Sequence, residues 1–159
     1  MDLPYELTDL LRLAYSAEKA AAFAYQGHAG SVKDESDKIR IKEIEDDEWV
    51  HREEVLHLMK TYEIPVSRWY EIKYHVIGKA ISGSCYVIGW FMPMYFAGRL
   101  ESGNVNEYYH MVALFHTMGI KEKEHELYFL SKIRTHRLLP VFEKIFSWGA
   151  TKSFNDIDI

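Results

Sequence analysis

The chain has 159 residues, 48% of them apolar and 27% charged, with a formal net charge of −5, a composition that fits one soluble globular domain with a sizeable core. The acidic balance excludes a nucleic-acid partner, because nothing here would neutralise a run of phosphates. A lone cysteine, Cys85, excludes an intrachain disulfide and any Cys-x-x-Cys site for zinc, an iron–sulfur centre or a rubredoxin-type iron.

The opening MDLPYELTDL is acidic and lacks a basic stretch followed by an apolar one, so it does not read as a signal peptide, and a reducing cytoplasm is the expected compartment. Strand-like alternation is absent and a 3.6-residue period dominates, which predicts an all-α fold. A first helix is expected from about Leu7 to Gln26, with Thr8 or Asp9 as cap and the run GHAGS as its stop. Its stripe reads Leu11, Ala14, Glu18, Ala21, Tyr25, with an acid in the middle of an apolar face. His28, one turn further, is expected to end in solvent near the loop. Ser36 or Asp37 should cap a second helix reaching about Tyr62, whose stripe is Ile41, Ile44, Glu48, His51, Val55, Leu58, Tyr62. Glu48 and His51 thus occupy positions that the rest of the helix gives to Ile, Val and Leu.

A third helix is expected to begin near Ser67 and to carry Ala80–Gly98, 19 residues without a charge, with a kink at Pro93. A membrane span needs about 20 mostly apolar residues, and this one contains three Gly, two Ser and a Pro. It therefore reads as a helix buried on all sides, with contact at a membrane surface as the other reading. The last major stripe is Tyr108, Met111, Phe115, Met118, Glu122, His125, Phe129. A short final helix, LLPVFEKIFSW, puts Leu139, Phe142, Ile145 and Phe146 on one side. Residues 1–148 are expected to form one domain and 149–159 a loose tail.

Two pairs carry the chemistry. Glu-x-x-His occurs four times, as Glu48/His51, Glu54/His57, Glu107/His110 and Glu122/His125, whereas 16 Glu and 8 His would meet at that spacing about once by chance. Glu54/His57 and Glu107/His110 lie off the apolar seams and read as surface pairs. The other two lie on them. A buried carboxylate costs several kcal/mol unless it is paired or bound to a metal. Mutual neutralisation within each pair would leave excess negative charge, since Glu18 adds a further acid and these stripes hold no Lys or Arg. Two divalent cations would remove that excess, and mixed carboxylate and imidazole ligation suits iron or manganese.

One Glu on each of two helices plus Glu-x-x-His on each of two others is the ligand pattern of ferritin-like di-iron carboxylate bundles. The chain resembles that superfamily in Glu18, Glu48/His51, Glu101 and Glu122/His125, over roughly residues 7 to 135. The stretch YHVIG, followed by Glu101-Ser102, is most similar to demethoxyubiquinone hydroxylase and its uncharacterised bacterial relatives. The resemblance implies a ferritin-like four-helix bundle with an additional C-terminal helix, two iron ions (or manganese) held by Glu18, Glu48, His51, Glu101, Glu122 and His125, and activation of O2 or peroxide. Hydroxylation of an aromatic or quinone-like small molecule follows from the subfamily likeness alone. The long uncharged segment and the final amphipathic helix would suit a lipid-like substrate or docking at the inner face of a membrane.

The first half fits this geometry, because a turn near residue 33 sets Glu18 and Glu48 at one height on antiparallel helices. The second half departs from it. Glu101 and Glu122 are 21 residues apart, and levelling them needs a turn near Met111, inside YYHMVALFH, which has no breaker. A turn at Ser102–Asn104 would level Glu122 with Ser84, where no acid stands. Two resolutions are open. Either Glu101 is not a ligand, or residues from about Ala97 to Arg134 form one long helix. In that helix Glu101 and Glu122 would lie about 31 Å apart and meet across a domain-swapped homodimer whose sites draw ligands from both chains.

Other residues invite simpler readings. Tyr25, Tyr86, Tyr128 and Trp90 are core aromatics before they are redox groups, and Met92, Met94, Met111 and Met118 are packing residues before they are copper ligands. His75, His116 and His136 lack an acid at ligand spacing, and Cys85 has no identifiable base. The function classes that remain are a di-iron oxidoreductase, a rubrerythrin-like peroxidase supplied by an external electron donor, and an iron-binding bundle without catalysis.

Overall fold

The computed structural model describes residues 5–109 and 112–146, with side chains described over 7–105 and 116–146. Six helices and no strand occur among the described residues. The chain separates into two compact units, Met1–Ile88 and Gly89–Ile159. The expected tail, 149–159, lies outside the described residues. None of the described helices is long and apolar enough to cross a membrane.

In the first unit, α1 (Tyr5–Ser31) packs against both α2 (Glu35–Thr61) and α3 (Arg68–Ser84). The expected stripe of α1 is buried throughout: Leu11, Ala14, Glu18, Ala21 and Tyr25 face inward. The helix does not stop at GHAGS but runs through it. A Cβ on Gly27 would overlap the backbone of Ser82, and one on Gly30 would overlap the Tyr86 hydroxyl. These glycines serve close approach within the unit, not termination. The extra turn also buries His28, which does not reach solvent.

The α2 helix begins two residues earlier than a Ser36 cap, and three earlier than an Asp37 cap, would set it. Asp34 is the N-cap, its side chain accepting from the backbone N–H of Asp37 at 3.0 Å. The helix ends in a left-handed residue, Glu63 (φ 55°), with the Ile64 N–H donating to the Met59 carbonyl at 2.8 Å. Ile41, Ile44, Glu48, His51 and Val55 are buried as the stripe requires, but the last inward residue is Met59, and Tyr62 is exposed.

The α3 helix starts at its Ser67 cap as expected, yet the uncharged segment is neither one helix nor buried on all sides. It breaks over residues 85–90, where Gly89 takes a left-handed φ of 79°. A new helix starts at Phe91, so Pro93 sits in its first turn, where a missing N–H costs nothing, and does not kink a helix interior. Tyr86 and Val87 are exposed, and along α3 itself Trp69, Ile72, Val76 and Ile81 also face water.

In the second unit, α4 (Phe91–Tyr109) and α5 (Val112–Ile133) pack along one another. Ser102–Asn104 is helical within α4, so the chain does not reverse there. Nor is there a single helix from Ala97 to Arg134, because Glu101 and Glu122 meet inside one chain. The packing of α4 along α5 levels the two acids, and residues 110–111 lie outside the described residues. On α5, Met118, Glu122, His125, Phe129 and Ile133 are buried in the predicted register; Tyr108, Met111 and Phe115 fall outside the described side chains. The amphipathic α6 (Leu139–Phe146) lays Phe142 and Phe146 on Tyr95 and Phe96 of α4, with ring centroids 5.1 Å apart for Tyr95–Phe142 and for Phe96–Phe146. The Tyr95 hydroxyl donates to Glu143 at 2.7 Å.

Candidate metal centre

Each unit assembles three potential ligands from two helices. In the first, α1 supplies Glu18 and α2 supplies Glu48 and His51, the latter two one turn apart on the same face. One ligand atom from each lies within 4.8 Å of the others. His51 Nδ1 and Glu48 Oε1 are 3.9 Å apart, too long for a hydrogen bond and close to the span of two ligands about 2.1 Å from a shared ion. In the second unit, α4 supplies Glu101 and α5 supplies Glu122 and His125, again within 4.8 Å of one another. His125 Nδ1 and Glu101 Oε2 are 4.0 Å apart. The two triads have the same composition and the same imidazole nitrogen facing the carboxylates.

All six residues are almost wholly buried, none more than 3% exposed. With neutral imidazoles and ionised acids, each triad carries two negative charges, and one divalent cation per triad balances them. A buried triad of this charge is costly without such a partner, and two carboxylates with one imidazole form a donor set suited to iron or manganese. The residues present therefore fit the ions that the sequence pattern implies.

Some surroundings were not legible in the sequence. Asn104, one turn beyond Glu101, donates from Nδ2 to Glu122 Oε2 at 3.4 Å, although the run Ser-Gly-Asn reads as a loop. Glu45 and Glu126 are buried acids beside the triads, but each is held by a lysine of its own helix, Lys42 at 3.3 Å and Lys123 at 2.7 Å. A larger ion cluster centres on Glu71 of α3. Its Oε2 accepts from Lys19 at 2.7 Å and from Arg52 at 2.9 Å, and its Oε1 from Ser16 at 2.8 Å and Arg52 at 3.1 Å. Arg52 also donates to the Tyr15 carbonyl and stacks over the Tyr15 ring at 3.6 Å. Partial burial pushes the Glu71 carboxyl up, but the hydrogen bonds from Arg52, Lys19 and Ser16 and the Arg52 charge outweigh it and bring its pKa down to about 2. Burial lowers the His28 pKa to about 4, against the opposing charge of Asp37.

The off-seam pair Glu54/His57 is exposed, and Glu107/His110 falls outside the described side chains. Tyr25 is buried, whereas Tyr86 and Trp90 are exposed. Cys85 is buried, which raises its thiol pKa, and so behaves as a small apolar residue. No protein-family model, no curated protein and no solved structure matches the chain.

Proposed function

We propose that the chain is a ferritin-like di-iron carboxylate oxidoreductase that activates O2 or peroxide, with Glu18, Glu48, His51, Glu101, Glu122 and His125 as ligands to two iron or manganese ions. The observation that carries this reading is the repeated, buried Glu plus Glu-x-x-His triad, whose charge calls for one divalent cation each. Once loaded, such a centre supplies the stepwise electron transfer to oxygen that amino-acid side chains lack. The protein's own part is to hold six donors in fixed rotamers and to keep bulk water from them. The substrate of this reading is an aromatic or quinone-like small molecule, and a separate protein supplies electrons. A homodimer completes the reading, and exchange of segments between its chains is not needed to level Glu101 with Glu122. Peripheral contact with a membrane would engage the exposed apolar side chains of α3.

Metal analysis of protein purified without added metal, followed by oxygen-uptake measurements on the loaded protein, tests the proposal. About two equivalents of iron or manganese per chain are expected, with oxygen uptake that depends on added quinol. Protein that neither retains nor takes up iron would end the metal reading. Uptake of oxygen tied to ferrous iron alone, with no response to any substrate, would leave a binding protein in place of an enzyme.

A further inference from the structure

We propose that Glu71 is a positioning residue for the Glu18/Glu48/His51 triad, holding Lys19 and Arg52 so that these cations do not neutralise the ligand carboxylates in place of a metal ion. The inference rests on the metal reading above and deepens it. Lys19 follows Glu18 in the chain, and Arg52 follows His51. Consecutive helical residues point roughly 100° apart, so both cations emerge beside the ligand face of their helices. Their side chains are largely buried, 13% exposed for Lys19 and 11% for Arg52. In that setting each cation takes the nearest available anion. A ligand carboxylate that captured either one would lose the charge that attracts a divalent ion.

Glu71 comes from the third helix and offers both oxygens to this task. It engages Arg52 through two guanidinium nitrogens and takes Lys19 on the same oxygen that receives Arg52 Nη2. The Lys19 ammonium also donates to the Glu71 main-chain carbonyl at 3.3 Å. The Tyr15 carbonyl and ring complete the hold on Arg52, which fixes the planar fork in one orientation. A carboxylate placed only to tie helices together would serve equally well on any pair of cations. Here it takes the two that adjoin ligands, one from each ligand-bearing helix of the unit.

Titration of the metal-free full-length protein with cobalt(II), read by visible absorption and accompanied by far-UV circular dichroism, separates the guarding role from a merely structural one. Glu71→Gln keeps the shape but frees the cations, and is expected to weaken cobalt binding about 10-fold or more. Adding Lys19→Met and Arg52→Met to that variant should restore binding to near the wild-type level, because the competing charges are gone. Glu71→Gln protein that binds as tightly as wild type would overturn the proposal, as would a triple variant no better than Glu71→Gln. Should Glu71→Gln fail to fold, Lys19→Met/Arg52→Met with Glu71 intact decides. Affinity at or above wild type supports the guard, and a fall makes the cluster a scaffold. Wild-type protein that takes up no cobalt would instead sink the metal reading itself.

Discussion

Glu48→Gln removes one negative charge from a fully buried triad while keeping its volume, so its effect on stability should change sign with metal. The ligand atoms of Glu18 and Glu48 lie no more than 4.8 Å apart, and two unit charges at that separation repel by about 3.5 kcal/mol at an effective dielectric constant near 20. The pair's interactions with its other neighbours relieve part of this, which leaves about 2 kcal/mol for the substitution to recover. For a chain of this size that corresponds to a rise in Tm of about 4–8 °C. With metal present the order reverses. A cation at about 100 times its Kd stabilises the wild type by about 2.7 kcal/mol, and the variant, short of one ligand, forfeits most of that. Calorimetric melts of both proteins, with chelator and with manganese(II), give four values of Tm whose lines should cross. A variant less stable than wild type in chelator, or an equal rise of both with manganese, would refute the reasoning that the triad is strained without a cation.

Glu54→Ala should leave metal content unchanged and stability within about 0.5 kcal/mol, because this Glu-x-x-His pair is exposed; emission analysis of the purified variant checks it. His28 stays neutral in the fold, its pKa lowered to about 4 while the unfolded chain titrates near 6.5. Its contribution is therefore complete above pH 6.5 and falls by about 3 kcal/mol as the pH drops to 4, a slope that urea melts should find reduced in His28→Asn. Gly27→Ala should cost about 1–3 kcal/mol because its Cβ would overlap the Ser82 backbone. Gly83→Ala, whose Cβ would meet nothing within 4 Å, should be neutral or stabilising by up to about 1 kcal/mol; denaturant midpoints compare the two.

The burial of the two Glu/His pairs could be read from the sequence because a polar pair in an apolar period is a local signal, and Glu48/His51 and Glu122/His125 keep step with Ile41, Ile44, Met118 and Phe129. Glu101 was harder. The stretch YYHMVALFH carries no glycine or proline, so spacing alone set its partnership with Glu122 in doubt. Gly27 and Gly30 misled in the opposite direction, since a glycine needed for close packing looks the same in one dimension as a glycine that ends a helix. The exposure of α3 was missed because hydropathy counts apolar residues without knowing which neighbours cover them. The Glu71 cluster was invisible for a different reason. Its partners, Lys19 and Arg52, are 52 and 19 residues away, and no periodicity links an acid on one helix to cations on two others.

A chain that gathers four acids into two buried triads ties its own survival to nutrition. If cations hold the triads, newly made protein in a metal-starved cell stays closer to unfolding and is the first to meet a protease, while a replete cell lets it accumulate. Abundance would then track iron supply without any change in transcription, and the amount of protein would rise only when there is metal to fill it.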